Sequence, residues 1–455
     1  MGLGSPSEQT GKDNVERSAT FKDSFLEPKP DDVVSFSVVC VPRSGVDLRE
    51  LRRRLSIETL DESLPTDKVR HLVADQLRTI GFQVFDLPSP VVSATGTVAL
   101  FQHIFKAQLV KRVRTFHGSP PRVETAIVLA PDSSPSPDAV TGALTIVVAD
   151  PPIPTVPRIP AQTAAFSLHL PGDIAQLTAA SRTHRLLTPM NDRATGGGVG
   201  VAVIDTEFAD HPYFRDHGYR IARLAPNDAS CLGQPYAHGT SVLSCMLACA
   251  PDVQAFGIRL GVNAVLAFDL ALAMPGVKVI SFSFVWSLDG EATIPVARLP
   301  LQIRILTAVA SGVTIVVAAG DGETETFPAL MPEVVAVGGV TVDSLTDTIS
   351  PWPGSSSFVS AIIPGRVVPD LCGMAEAILA PTQGPAYWIS SDGTSLATPQ
   401  VAGIAALLIQ KSPALTPQQV RDALCDGAVP VPPPPPSPLT GAGVVNAFNS
   451  WTSIA

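Results

Sequence analysis
Apolar positions recur along this chain with two periods, and the way they alternate lays out its organisation. Residues 33–43 alternate apolar and polar and predict a strand. Over 66–80, Val69, Leu72, Val73, Leu77 and Ile80 fall on one helical face, and Gly81 stops the helix. Residues 82–85 and 91–95 read as short strands. Residues 97–109 read as a second amphipathic helix with Val98, Phe101, Ile104, Phe105 and Leu109 inward. Residues 125–130 and 144–149 close the unit as strands. Strands interleaved with two helices predict a small α+β sandwich over 33–150.

Residues 150–160 are Pro-rich and read as a linker, followed by a helix over 173–187 and the run Gly196-Gly197-Gly198. That run precedes a strand and lacks the Lys-Ser/Thr of a phosphate loop. From residue 199 onward strand and helix patterns alternate. Strands are expected at 199–204, 253–258, 277–284, 313–318 and 334–337, and helices at 238–250, 264–274 and 300–311. A last helix starts near residue 395. This is the pattern of an α/β fold, a doubly wound, mostly parallel sheet with helices on both faces. Four segments result: a disordered leader over 1–32, the α+β unit over 33–150, a linker and lead-in helix over 151–195, and the large α/β domain over 196–455. The proline tract 430–438 reads as an exposed polyproline loop.

Composition narrows the function. At 455 residues and 45% apolar content the chain can bury two cores. A net charge of −10 argues against nucleic acid as a partner. No apolar run is long enough to span a membrane, and residues 1–32 lack the apolar stretch of a secretory signal. The six cysteines show no metal spacing, and Cys245 and Cys249, four apart on an expected helix, suit buried thiols. These features favour a reducing, intracellular setting.

Ligands and reactive groups in such a sheet collect at the C-terminal ends of its strands. Asp205 ends the strand over 199–204, His238 opens the next long helix, and Ser395 sits in Gly393-Thr394-Ser395 at the mouth of the last one. Unpaired N–H groups and the helix dipole point outward there, which suits a nucleophile whose attack creates an oxyanion. Each residue also has a plain reading as a cap or turn. Together, Asp, His and Ser are the parts of an acyl-transfer relay.

These residues carry a resemblance. Val203-Ile204-Asp205-Thr206 with His211-Pro212, His238-Gly239-Thr240-Ser241-Val242 and Gly393-Thr394-Ser395-Leu396-Ala397-Thr398-Pro399 resemble the aspartate, histidine and serine motifs of the subtilisin-like serine peptidases. Their order and their gaps of 33 and 157 residues are similar to that family's. Phe327-Pro328-Ala329 with 332–338, and Gly441 to Ala447, resemble its later segments. The resemblance implies a serine endopeptidase acting on protein or peptide substrates, with Ser395 as nucleophile, His238 as base and Asp205 orienting it. The stretch Val92 to Val98, leading into Phe101 and Phe105, resembles the activation prodomain of the sedolisin (kumamolisin-like) peptidases. That implies a zymogen whose own N-terminal domain serves as chaperone and intramolecular inhibitor, cut within the linker. A plain interaction domain is the other reading.

Four departures from the family pattern bear on activity. Asp321 stands after Ala318-Ala319-Gly320, where the family has an Asn that donates to the oxyanion. An ionised carboxylate repels that charge, whereas a protonated one can donate if burial raises its pKa. The implied oxyanion hole is Asp321 with the Ser395 N–H. Ser283, Phe284 and Val285 occupy the implied substrate-binding strand, with Val285 in place of a Gly, and Glu207 replaces another Gly. The second strand that clamps the peptide is expected to be reduced. No cofactor is implied, and no carboxylate cluster has calcium-loop spacing. An active endopeptidase and a weakly active or inactive peptide-binding relative are therefore the two readings.

Overall fold
In the computed structural model, residues 21–116, 122–152, 170–186, 193–226, 237–322, 325–343, 346, 348–376, 378–382, 388–432 and 437–454 are described. The larger domain is built on an eight-stranded sheet. Its strand order is Thr348–Pro351, Val335–Asp343, Thr314–Ala318, Val277–Phe282, Gly200–Asp205, Gln254–Arg259, Ile221–Leu224, with Leu371–Met374 branching from Val335–Asp343. All pairs are parallel except the one made by Thr348–Pro351. The chain passes from Gly200–Asp205 outward on one side and returns on the other, so Asp205 ends the strand at which the winding reverses.

Burial on both faces explains the near-continuous apolar runs of these strands. Val201 and Val203 pack with the helices His238–Cys249 and Thr394–Lys411. Ala202 and Ile204 pack on the other side, with Ala264–Ala273 and Leu299–Ala310. Side chains alternate along a strand, so the next odd position, Asp205, turns toward the His238 and Thr394 helices. In Val277–Phe282 the same alternation puts Val279 on that face and Ile280 and Phe282 on the opposite one, and Ser283 continues the odd series.

The N-terminal domain has an antiparallel sheet in the order Gln83–Val84, Val92–Thr97, Val33–Cys40, Ala143–Val148. Val34, Phe36 and Val38 face the helices Asp67–Ile80 and Val98–Phe105 and pack on Leu77, Phe101 and Phe105. Beyond the exposed Val33, the alternating residues Ser35, Ser37 and Val39 do not face water. Ser35 and Ser37 are buried, and Ser37 Oγ lies 3.0 Å from Ser93 Oγ and accepts from Asn263 Nδ2 at 3.0 Å. Val39, Leu51 and Val91 join Leu299 and Ile303 of the larger domain. Arg304, paired with Asp269 at 2.5 Å, also donates to Pro88 O at 2.9 Å. The polar stripe is thus the face that docks onto the two helices of the larger domain.

Several expectations change. The disordered leader over 1–32 is corrected from residue 21: Phe21–Leu26 is a strand paired antiparallel with Leu109–Phe116, and Arg114 makes a two-bonded pair with Asp23 at 2.8 and 2.9 Å. Residues 1–20 lie outside the described residues. The helix expected over 97–109 ends at Phe105, because Lys106 turns left-handed (φ +54°) and Leu109 opens a strand. The helix over 173–187 is two short ones, Pro171–Leu177 and Ala180–His184, broken where Ala179 has φ +54°. Most of the linker, 153–169, and residues 433–436 of the proline tract lie outside the described residues. The tract is not wholly exposed, since Val431 is buried beside Cys372 and Val444. The helix Pro417–Asp426 is not among the expected elements, although Thr416 and Gln419 form a capping box and Pro417 sits at its first turn.

Candidate active site
Three elements bring the site together. The strand Gly200–Asp205 delivers Asp205, fully buried at its C-terminal end. Ala237, left-handed at φ +43°, turns the chain so that His238 is the first residue of its helix. Gly393 (φ +154°) leads into Thr394–Lys411, with Ser395 in the first turn. A Cβ on Gly393 would lie 3.0 Å from Ser395 Oγ and 3.2 Å from Asp321 Oδ2, so the turn tolerates no side chain there without displacing one of them.

His238 bridges the other two residues. Its Nδ1 is 2.8 Å from Asp205 Oδ1 and its Nε2 is 2.9 Å from Ser395 Oγ. All three side chains are nearly solvent-free. Asp205 Oδ1 also accepts from Thr206 N at 2.7 Å and Thr206 Oγ1 at 3.2 Å. Thr206 Oγ1 in turn accepts from Gly239 N at 3.3 Å, tying the strand end to the histidine helix. With Asp205 facing Nδ1, that nitrogen carries the proton and Nε2 presents its lone pair to the serine hydroxyl.

The nucleophile's turn has a support that the sequence reading missed. Pro399 lies inside the helix and has no N–H, so the carbonyl of Ser395, four residues earlier, loses its helical donor. Ser283 Oγ donates to that carbonyl at 3.0 Å instead. The spacing of Pro399 from Ser395 was the available signal. Further along the same helix, the buried Gln400 accepts from Met374 N at 3.0 Å and donates to Met374 O at 2.7 Å, fixing it to the strand beneath.

Of the residues expected to bind substrate, Ser283 and Phe284 are buried, and Phe284 packs between Phe282 and the His238 ring. Val285 is half-buried. Glu207 pairs with Arg259 at 2.8 Å on the rim. Only four residues separate Gln254–Arg259 from the helix that starts at Ala264, and none of them is in a strand. Asp321 flanks the site and is half-buried. Its Oδ1 accepts from Thr394 N at 2.9 Å and from Thr394 Oγ1 at 2.7 Å, and Oδ2 is the oxygen on the Gly393–Ser395 side. Among the described residues no group of three or more His, Cys, Asp or Glu side chains is arranged to hold a metal ion, and no helix is long and apolar enough to cross a membrane.

Several known proteins are similar to this chain over about half of its length. The chain is 29% identical over 279 residues to the subtilisin-like protease PopC of Myxococcus xanthus, a match covering 52% of this chain and 57% of that protein. It is 29% identical over 271 residues to alkaline elastase YaB of a Bacillus species, covering 56% and 64%. It is 28% identical over 246 residues to subtilisin E of Bacillus subtilis, covering 50% and 60%. The chain thus spans less than two thirds of the length of each of these relatives. The subtilase family profile matches residues 196–448, more than half of the chain and the whole stretch that carries Asp205, His238 and Ser395. On that match the chain belongs to the subtilase family.

Proposed function
We propose that the chain is a serine endopeptidase that cleaves peptide bonds through an acyl-enzyme on Ser395. The observation that carries this reading is the buried Asp205–His238–Ser395 chain of hydrogen bonds at 2.8 and 2.9 Å. His238 Nε2 takes the hydroxyl proton as Ser395 Oγ attacks the carbonyl, and later passes it to the leaving amine. Asp205 holds the imidazole in place and stabilises its cation. The Ser395 N–H, in the first turn of its helix, and a protonated Asp321 hold the oxyanion. Thr394 already occupies Asp321 Oδ1 as acceptor, so the donated proton belongs on Oδ2. The reading is tested by incubating the purified chain with an unstructured protein across acid to neutral pH. Hydrolysis that Ser395→Ala abolishes supports it, and equal hydrolysis by both forms refutes it.

The N-terminal domain serves in this reading as a built-in chaperone and inhibitor, released by a cut in the linker. The helices Pro171–Leu177 and Ala180–His184 belong to the peptidase core: Ile174 and Ala180 are fully buried in it, and Thr178 O accepts from Ala447 N at 2.7 Å. The cut therefore falls before residue 170. N-terminal sequencing of the purified protein tests this, with a new start beyond residue 170 as the contrary result. One observation favours a second reading, a peptide-binding protein without efficient turnover: a carboxyl, not an amide, stands at the oxyanion position.

A further inference from the structure
The place where the N-terminal domain ends against the peptidase domain is built like a receptor for one residue. After the strand Ala143–Val148, Asp150 is held at three points. Trp286 Nε1 donates to its backbone oxygen at 3.0 Å, and Arg298 Nη2 donates to its Oδ2 at 3.0 Å. Arg112, from its own domain, donates to Oδ1 at 2.7 Å. The first two contacts belong to the peptidase domain. They read a peptide carbonyl and a carboxylate, so they recognise an acidic residue in an extended chain.

The peptidase half of this site adjoins the catalytic strand. Trp286 begins a short strand paired with Thr326–Phe327, directly after Ser283, Phe284 and Val285. The Arg298 guanidinium lies 4.7 Å over the Trp286 ring, and its side chain is only 13% exposed. Its Nε has no hydrogen-bond partner among the described residues. A buried, stacked guanidinium with a spare donor favours an anion over water, because leaving it unpaired is costly. Asn263, Val265, Trp286, Arg298 and Leu301 line a small open pocket beside Asp150.

We infer that Arg298 and Trp286 form a subsite for Asp or Glu in an extended peptide, upstream of the bond to be cut, and that Asp150 fills it in the intact chain. The upstream assignment rests on the peptidase reading, because Asp150 lies on the N-terminal side of any cut in the linker. The binding preference does not. Arg112 leaves with the N-terminal domain, whereas Arg298 and Trp286 stay to receive the substrate.

The full chain carrying Ser395→Ala and Asp150→Ala cannot turn over and frees the Arg298 guanidinium, while the backbone oxygen of residue 150 stays on Trp286 Nε1 as a competitor that both peptides have to displace equally. Fluorescence anisotropy compares a short labelled peptide containing Asp-Pro-Pro with its Asn counterpart. The Asp peptide binds about tenfold more tightly, as expected of a charge-assisted contact. Adding Arg298→Gln removes the difference, while adding Arg112→Gln only reduces it, because Arg112 faces the same carboxylate in the uncut chain. Trp286→Phe, which keeps an aromatic face but loses the indole N–H together with its five-membered ring, weakens both peptides alike and covers the case in which Arg298→Gln does not fold. Equal binding of the two peptides overturns the inference, as does a preference lost with Arg112→Gln and kept with Arg298→Gln. In the active chain the same preference is read as kcat/KM. Should Ser395 prove unreactive, the proposed function falls while the anisotropy result still decides the subsite.

Discussion

Asp321→Asn is the substitution that separates a working oxyanion hole from a defective one. The amide is the same size as the carboxyl. Its oxygen can accept both bonds that Thr394 N and Thr394 Oγ1 now give to Oδ1, at 2.9 and 2.7 Å. The Nδ2 group then takes the place of Oδ2, on the Gly393–Ser395 side, as a donor at every pH. The wild-type carboxyl donates only while protonated, and His238 works as a base only while neutral. The parent enzyme therefore has a narrow pH window in which both conditions hold, and the variant has only the histidine limb. One oxyanion donor is worth about 10²- to 10³-fold in rate. At neutral pH the variant should gain up to that factor, with the gain shrinking as the pH falls. The assay is the second-order rate of Ser395 inactivation by a fluorophosphonate, followed from acid to mildly alkaline pH. A variant slower than the parent at neutral pH, with an unchanged pH profile, refutes the reasoning and gives the carboxylate another role.

Further outcomes follow from the same geometry. Gly393→Ala places a methyl 3.0 Å from Ser395 Oγ at a backbone φ of +154° that strains any side chain, and should cut kcat/KM about a hundredfold while also lowering the melting temperature, as read by kinetics beside calorimetry. Phe36→Ala empties the centre of the N-terminal core, where Phe36 meets Phe82, Phe101 and Phe105. It should cost about 3–5 kcal/mol of that domain's stability, seen as an earlier thermal transition. Burial pushes the Asp150 carboxyl up, but Arg298 and Arg112 outweigh it and hold the group below its ordinary 3.8. Docking stabilised by Asp150 is therefore complete above that value and lost as the pH falls below it. A melting-temperature profile against pH should show this acid loss, reduced in Asp150→Asn.

The parts of the site that the sequence revealed were those fixed by local chain chemistry. Asp205 closes an apolar run, while His238 and Ser395 each open a helix next to Gly, so position along the chain was enough to place them at strand and helix ends. Supports that depend on distant partners were not readable. The bond from Ser283 to the Ser395 carbonyl was hidden because nothing local says that Pro399 has left that carbonyl without its helical donor. Ser35 and Ser37 looked like an ordinary polar stripe, because the helices that cover them follow more than two hundred residues later. Phe21–Leu26 reads as polar and irregular by itself. It becomes a strand through Leu109–Phe116, with Asp23 opposite Arg114 in register. Ala179 ends a helix by its backbone conformation, with no glycine to announce the break.

The central claim is that Ser395 is a nucleophile made reactive by His238. Labelling the intact full-length chain with a fluorophosphonate, then mapping the adduct by mass spectrometry, tests it most directly. The account predicts a single adduct on Ser395, with His238→Ala suppressing it by at least about 10⁴-fold. No adduct at any pH from acid to mildly alkaline, or equal labelling with and without His238, would contradict it.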